Sequence, residues 1–220
     1  MERKFNRFLV KRTKEDIIYF VQTAYPQVTP FQEPIIQEHG ISYRGMSAYR
    51  SKLLAALEKG LSQLPFKKGT KVLYLGASHG YTPSIVSDLV GDEGEVFAVE
   101  FAPTVIKDLV ILASKRKNIA PILADAFHPE RYQEFIHEPD VVFMDIAQRN
   151  QIEIFEKNIA LLKKGGFGML SYKARSVDIK QPTRVLIANA KKELSAKYNL
   201  VDYKILDPFE KDHAMFLIKK

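Results

Sequence analysis

The chain contains no cysteine. Disulfides, thiolate-held metals and thiol nucleophiles are therefore excluded, which fits an intracellular protein. No apolar run approaches the ~20 residues of a membrane-spanning helix. The start, MERKFNRFLVKR, is basic and polar and lacks the apolar stretch of a secretory signal. Neither a P-loop nor a Ser/His/Asp elbow is present. His39, His79, His128 and His137 do not stand at metal-ligand spacing, so no metal is expected. Internal repeats and low-complexity tracts are missing as well.

What is present is ordinary in amount and unusual in arrangement. The 220 residues are 46 % hydrophobic and 27 % charged, enough for a real core in one domain, or one domain with a small extension. A net charge of +7 favours a polyanionic partner. From Val72 onward the pattern alternates strand and helix. Strands are predicted at 71–76, 95–100, 120–125, 141–146 and 167–173, and two more near 200–206 and 213–219. Only DPFEKD separates the last two, which makes them an antiparallel hairpin, because a parallel crossover needs a dozen or more residues. The expected fold is therefore α/β, a mostly parallel sheet closed by an antiparallel hairpin, as in Rossmann-like class I methyltransferases.

Local signals mark the helices. Thr82 is the expected N-cap of the first, Pro83 suits its first helical position, and Gly91 stops it. The segment 150–163 sets Ile152, Phe155, Ile159 and Leu162 on one face, ending at Gly165-Gly166. Pro182 opens another helix, with Val185, Leu186, Ala190 and Leu194 inward. Residues 1–48 read differently, as short pieces rich in Phe, Ile, Tyr and Val with Pro and Gly between them. They form the expected small β-rich N-terminal domain, packed on a main domain of residues 49–220. Tyr49–Leu61 links the two as a helix with Leu53, Leu54, Leu57 and Leu61 inside.

The segment Lys71–Phe101 is the most informative. It runs from an apolar strand through a turn with Gly76 and Gly80 to a helix and a second strand ending on Glu100. Glycines after a buried strand let a ligand approach the backbone, and an acid closing the next strand can hold ribose hydroxyls. Ser78 and Tyr81 stand where a dinucleotide fingerprint has its second and third glycines. A pyrophosphate thus fits poorly, and S-adenosylmethionine, which has a ribose but no phosphate, fits better. Ligands of such sheets bind beyond the carboxyl ends of the strands. The residues waiting there are Gly76–Thr82, Glu100-Phe101, Asp125-Ala126, Asp145–Gln148 and Lys173. Singly, each acid also reads as a helix cap and Lys173 as a lysine reaching for solvent. Lys52 stands near the start of its predicted helix, where a cation opposes the macrodipole. His213 starts the last strand, after Asp212, and on its own reads as an exposed turn histidine.

Laid end to end, YRSKLLAAL, KVLYLGASHGYTPSIVSDLVG, VFAVEF, PILADAFHP, DIAQ, KKGGFGMLSYKARSVD and PFEKDHA strongly resemble fibrillarin in its archaeal form. The resemblance covers residues 43–220. It implies ribose 2′-O-methylation of rRNA, and of tRNA, with S-adenosylmethionine as cofactor and a box C/D guide RNA choosing the target. It further implies a Nop-family scaffold, a kink-turn-binding ribosomal-type protein in the same particle, and no membrane. The glycine–arginine-rich tail of eukaryotic fibrillarins is not found here, so a cytoplasmic, archaeal-type protein is expected.

By the same resemblance, Lys52, Asp145, Lys173 and His213 form a catalytic tetrad. Cofactor contacts fall on Gly76, Tyr81, Thr82, Glu100, Phe101, Asp125, Ala126, Asp145, Ile146, Ala147 and Gln148. Arg149, Arg175 and Lys180, close to the active edge, are candidate RNA contacts. Two departures stand out. The family's turn reads Ala-Ser-Gly-Thr-Thr where this chain has Ser78-His79-Gly80-Tyr81-Thr82, and the block before Arg50, which usually carries Trp-Asn-Pro, is here Met46-Ser47-Ala48-Tyr49. A sulfonium methyl is already activated, so catalysis needs alignment and removal of the hydroxyl proton. Lys173 is the preferred base and Lys52 the neighbouring cation, although the two can be exchanged. Asp145 orients the ammonium, and His213 orients the ribose or relays the proton. The competing readings are a non-catalytic assembly module of this fold and a stand-alone RNA or protein methyltransferase.

Overall fold

The computed structural model describes residues 1–220, apart from the side chain of Arg3. An antiparallel sheet comes first, from β1 (Glu2–Lys4), β2 (Phe8–Arg12), β3 (Ile17–Gln22), β4 (Ile35–Glu38) and β5 (Ile41–Ser47). Its spatial order is β1-β2-β3-β5-β4. One 3-10 turn, Ala48–Arg50, leads into α1 (Lys52–Glu58). Next come β6 (Lys71–Leu75), α2 (Tyr81–Val90), β7 (Glu95–Glu100), α3 (Ile106–Lys115) and β8 (Ile119–Leu123). The chain continues through β9 (Val141–Met144), α4 (Gln151–Ile159), β10 (Phe167–Lys173), the short α5 (Ala174–Val177) and α6 (Thr183–Lys197). It ends with β11 (Asn199–Ile205) and β12 (His213–Lys219).

The second sheet has the order β11-β12-β10-β9-β6-β7-β8. Strands β8, β7, β6, β9 and β10 run parallel, and β12 lies antiparallel between β10 and β11. The expected methyltransferase architecture is present. Helices cover both faces, so the central strands are apolar throughout: Val72–Leu75 and Val141–Met144 are all buried. Alternate residues feed two clusters. Val72, Tyr74 and Phe143 join one, while Leu73, Leu75, Val142 and Met144 join the other.

The first cluster also takes Phe8, Val10, Tyr19, Val21 and Met46 from the first sheet, beside Leu53, Leu54 and Leu57 of α1. The two sheets therefore share one core. A buried charge network adds to that join. Arg44 of β5 pairs with Glu33 and with Asp88 of α2, and Arg116 meets the other oxygen of Asp88 at 2.7 Å. Two guanidinium and two carboxylate groups balance there, so none is left as an uncompensated buried charge.

Four local expectations are corrected. The linking helix expected over Tyr49–Leu61 is shorter: the 3-10 turn Ala48–Arg50 and the extended Ser51 precede it, and α1 spans only Lys52–Glu58. Helix α2 begins at Tyr81, and its N-cap is Gly80 at φ 91°, not Thr82, so Pro83 is its third residue and not its first. A Cβ at Gly80 would fall 2.5 Å from Leu112 Cδ2, so only glycine allows the turn to lie against α3. The Thr82 hydroxyl meets that of Ser51 instead, at 3.2 Å. In α6, Val185 is 45 % exposed, and Ile187 lies inward with Leu186, Ala190 and Leu194. Helix α4 stops at Ile159. Leu161 and Leu162 donate to carbonyls three residues back, a tighter turn that still directs Leu162 inward.

Candidate active site

The carboxyl ends of the parallel strands converge on two cavities. The larger, of about 970 Å³, is lined by Arg50, Lys52, Tyr74, Tyr81, Thr82 and Asp145 among others. The smaller, of about 290 Å³, is lined by Glu100, Phe101, Asp125, Ala126 and Ile146–Gln148. Gly76, Ser78 and Asp145 belong to both, so the cavities meet at the turn after β6. Gly76 takes φ 80°, and a Cβ there would lie 2.4 Å from the Asp145 carbonyl. Glycine is needed for the exits of β6 and β9 to touch. The Asp145 N–H donating to Leu75 at 2.9 Å fixes that contact.

The four residues of the expected tetrad lie at this end of the sheet, as two pairs. Lys52 is the first residue of α1, and its Nζ lies 3.1 Å from Asp145 Oδ2, just after β9. That carboxylate offsets the unfavourable meeting of a cation with a helix N-terminus. Lys173 and His213 are directly opposed across the β10–β12 ladder, which puts their side chains on one face of the sheet. His213 is buried and its Nδ1 lies 2.7 Å from the Lys211 carbonyl. A carbonyl only accepts, so Nδ1 carries the proton and Nε2 keeps its lone pair. Burial holds the His213 pKa below the usual histidine range, and the charge of Lys52 adds to this, against the Lys211 carbonyl, Glu210 and Asp145. The ring is neutral near pH 7.

The predicted cofactor contacts divide by cavity. Glu100 is fixed by two backbone donors, Ser78 N–H at 2.8 Å and Ala102 N–H at 2.9 Å. Beside it Phe101 is 67 % exposed, an apolar ring open to a ligand. Asp125 accepts the Phe127 N–H at 2.9 Å, and Asn158 donates to the carbonyl of buried Ala126 at 2.8 Å. Ile146, Ala147 and Gln148 line the same cavity. Tyr81 behaves differently. Its ring packs edge-on to Phe31, centroids 5.0 Å apart, and carries the Arg50 guanidinium 4.5 Å from its centroid. Burial raises its pKa.

Arg149 and Lys180 are exposed, in the loops after β9 and after α5. Asp178 accepts the Lys180 N–H at 2.8 Å, which holds its carboxyl below the usual range, and the charge of Arg149 adds a smaller contribution. Arg175 is exposed too, but its Nε already lies 3.3 Å from Asp212 Oδ2. Sequence reasoning missed Tyr74, Ser51 and Gln151. Tyr74 is fully buried in β6 and lines the larger cavity; burial, then the Asp145 charge, raise its pKa well above the ordinary value. The one available signal was a phenol in an otherwise aliphatic strand.

Comparison with known proteins bears on this arrangement. The family model described as Fibrillarin matches residues 1–220. The fibrillarin-like rRNA/tRNA 2′-O-methyltransferase of Pyrococcus abyssi is 43 % identical over 191 residues, 86 % of this chain and 84 % of that protein. The crystal structure of Aeropyrum pernix fibrillarin with natively bound S-adenosyl-L-methionine superimposes with a TM-score of 0.85 at 38 % identity, covering 95 % of this chain and 92 % of that one. A fibrillarin/Nop5p complex gives 0.85 at 31 % identity, covering 95 % and 96 %.

Proposed function

The chain belongs to the fibrillarin family, and from that premise we propose that it methylates ribose 2′-hydroxyls of rRNA and tRNA with S-adenosylmethionine. The observation that carries the reading is the Lys52–Asp145 pair, whose aspartate lines the cavity that ends on Glu100, with Lys173 and His213 opposed at the same end of the sheet.

The residues present fit this cofactor. Two N–H groups hold the Glu100 carboxylate still, and its remaining lone pairs suit ribose hydroxyls. Phe101 offers a flat apolar face for adenine, and Asp125 a nearby acceptor. A dinucleotide would need glycine where Ser78 and Tyr81 stand. The Tyr81 ring is held by Phe31 and Arg50, so in this reading it shapes the cavity wall while Thr82 lines the floor. When bound, the cofactor supplies a methyl group already activated on a sulfonium. The protein's work is to place the hydroxyl and take its proton. Lys173 takes the proton, Lys52 is the neighbouring cation held by Asp145, and His213 offers Nε2 to the ribose.

Target choice in this proposal is delegated to a box C/D guide RNA, held in one particle with a Nop-family scaffold and a kink-turn-binding protein. The net charge of +7 and the fibrillarin/Nop5p relative support it. Residues 1–48 then act as a β-rich unit bracing the catalytic unit 49–220 through the shared core.

The test is methyl transfer to a guide-complementary RNA by the assembled particle, with and without guide. Transfer is expected only with the guide. Lys173→Ala should abolish it while cofactor affinity stays within a few-fold. Lys173→Arg should not rescue, because a guanidinium keeps its proton. Full transfer by Lys173→Ala would overturn the base assignment, and methylation of a 2′-deoxy target nucleotide would overturn the reaction class.

A further inference from the structure

Strand β10 outruns its parallel neighbour. Pairing with β9 stops at Leu170, opposite Met144, whereas pairing with β12 continues to Lys173, opposite His213. On the β12 side the next bond is the Ala174 N–H donating to the Asp212 carbonyl at 3.0 Å. The peptide groups of Lys173 therefore face the side that β9 has left empty. Gln151, the first residue of α4, occupies that place. Its Nε2 donates to the Lys173 carbonyl at 2.9 Å, and its Oε1 accepts the Lys173 N–H at 2.8 Å. One primary amide thus supplies both hydrogen bonds that a longer β9 would have made.

Gln151 is fully buried, so water cannot replace it there. Nor does the chain spend the amide on the helix, since both of its hydrogen bonds go to Lys173. The geometry points to Gln151 as a positioning residue for Lys173. It fixes the backbone from which the lysine side chain leaves, and with it the reach of Nζ toward the target hydroxyl. A lysine has a long flexible stem, so its head is aligned only if its root is. The role rests on the reading of Lys173 as the group that takes the hydroxyl proton.

The experiment uses the assembled particle with guide and target. Gln151→Met keeps the length and removes both bonds. Gln151→Glu keeps the acceptor and donates only when its carboxyl is protonated. Single-turnover transfer at saturating S-adenosylmethionine is measured with cofactor affinity and thermal stability. Gln151→Met should slow transfer by about tenfold or more while cofactor affinity changes by less than about threefold, since misplacement acts on the reacting group and not on the adenosine site. Gln151→Glu should be slow at neutral pH, and its rate relative to wild type should recover on acidification as the donor returns. Gln151→Met should show a flat ratio.

A wild-type rate in Gln151→Met, or losses of rate and cofactor affinity in equal proportion, would overturn the role. If that variant does not fold, a flat pH ratio for Gln151→Glu overturns it alone. A wild-type particle that transfers no methyl removes the underlying function, and this role with it. A competent wild type with indifferent variants removes only the role.

Discussion

Lys52 Nζ lies 3.1 Å from Asp145 Oδ2, joining residues 93 positions apart at the point where the two cavities meet. The pair is partly open to solvent, at 23 % and 21 % side-chain exposure, so its value to stability is small. Its value to the site is orientation: each charge holds the other in place.

That coupling should appear in kinetics. Lys52→Ala and Asp145→Ala should each slow methyl transfer by roughly 10²–10⁴-fold, the usual range for a group that positions or moves a proton. The double variant should be little worse than the poorer single, because residues acting as a unit are not additive. Multiplicative losses in single-turnover assays would show that the two act separately.

Glu100 gives a binding prediction. Glu100→Ala should weaken S-adenosylmethionine by about 1–3 kcal/mol, the scale of hydrogen bonds to a charged group together with the release of the Ser78 and Ala102 amides. Calorimetry measures it directly. Tight binding of NAD, with none of S-adenosylmethionine, would refute the assignment of this cavity.

His213 sets a pH dependence. Its pKa is lowered in the folded chain, chiefly by burial, from an unfolded value of about 6.5. Below that value the unfolded chain binds more protons than the folded one, so stability rises with pH through this window. The contribution is complete above about pH 6.5 and is lost as pH falls through the lowered folded pKa. His213→Gln stays neutral and should flatten this part of the curve. Urea unfolding between pH 5 and 7.5 tests it; identical slopes in the two proteins would exclude His213 as the source.

The basic loops offer a salt test. If Arg149, Arg175 and Lys180 meet RNA phosphates, removing all three charges should weaken RNA binding and flatten its dependence on salt. Arg175 should contribute least, since Asp212 already engages it. An unchanged slope in the triple alanine variant would leave these loops as ordinary solvated surface.

Much of the fold was legible because its signals are local. Buried parallel strands read as apolar runs, as at Val72–Leu75, and Gly91 stops a helix wherever that helix finally packs. The helix start was misread at Thr82 because the deciding contact, Gly80 against Leu112, comes from another helix. Val185 failed for a similar reason: a helical stripe can be read one residue round, and only packing chooses the face.

The candidate site divides along the same line. The amino-acid sequence by itself determined which chemical groups stand at or just beyond the strand ends, Glu100, Asp125, Asp145 and Lys173, because strand ends follow from hydrophobic pattern and turn residues. Tertiary structure alone decided how they meet. It inserted β12, not β11, beside β10 and so set His213 opposite Lys173. It turned the Tyr81 ring toward Phe31 and Arg50, and it brought Gln151 to a peptide that β9 had left unpaired. Those arrangements satisfy shape, charge and hydrogen bonding between segments far apart in the chain, and no local pattern carries that information.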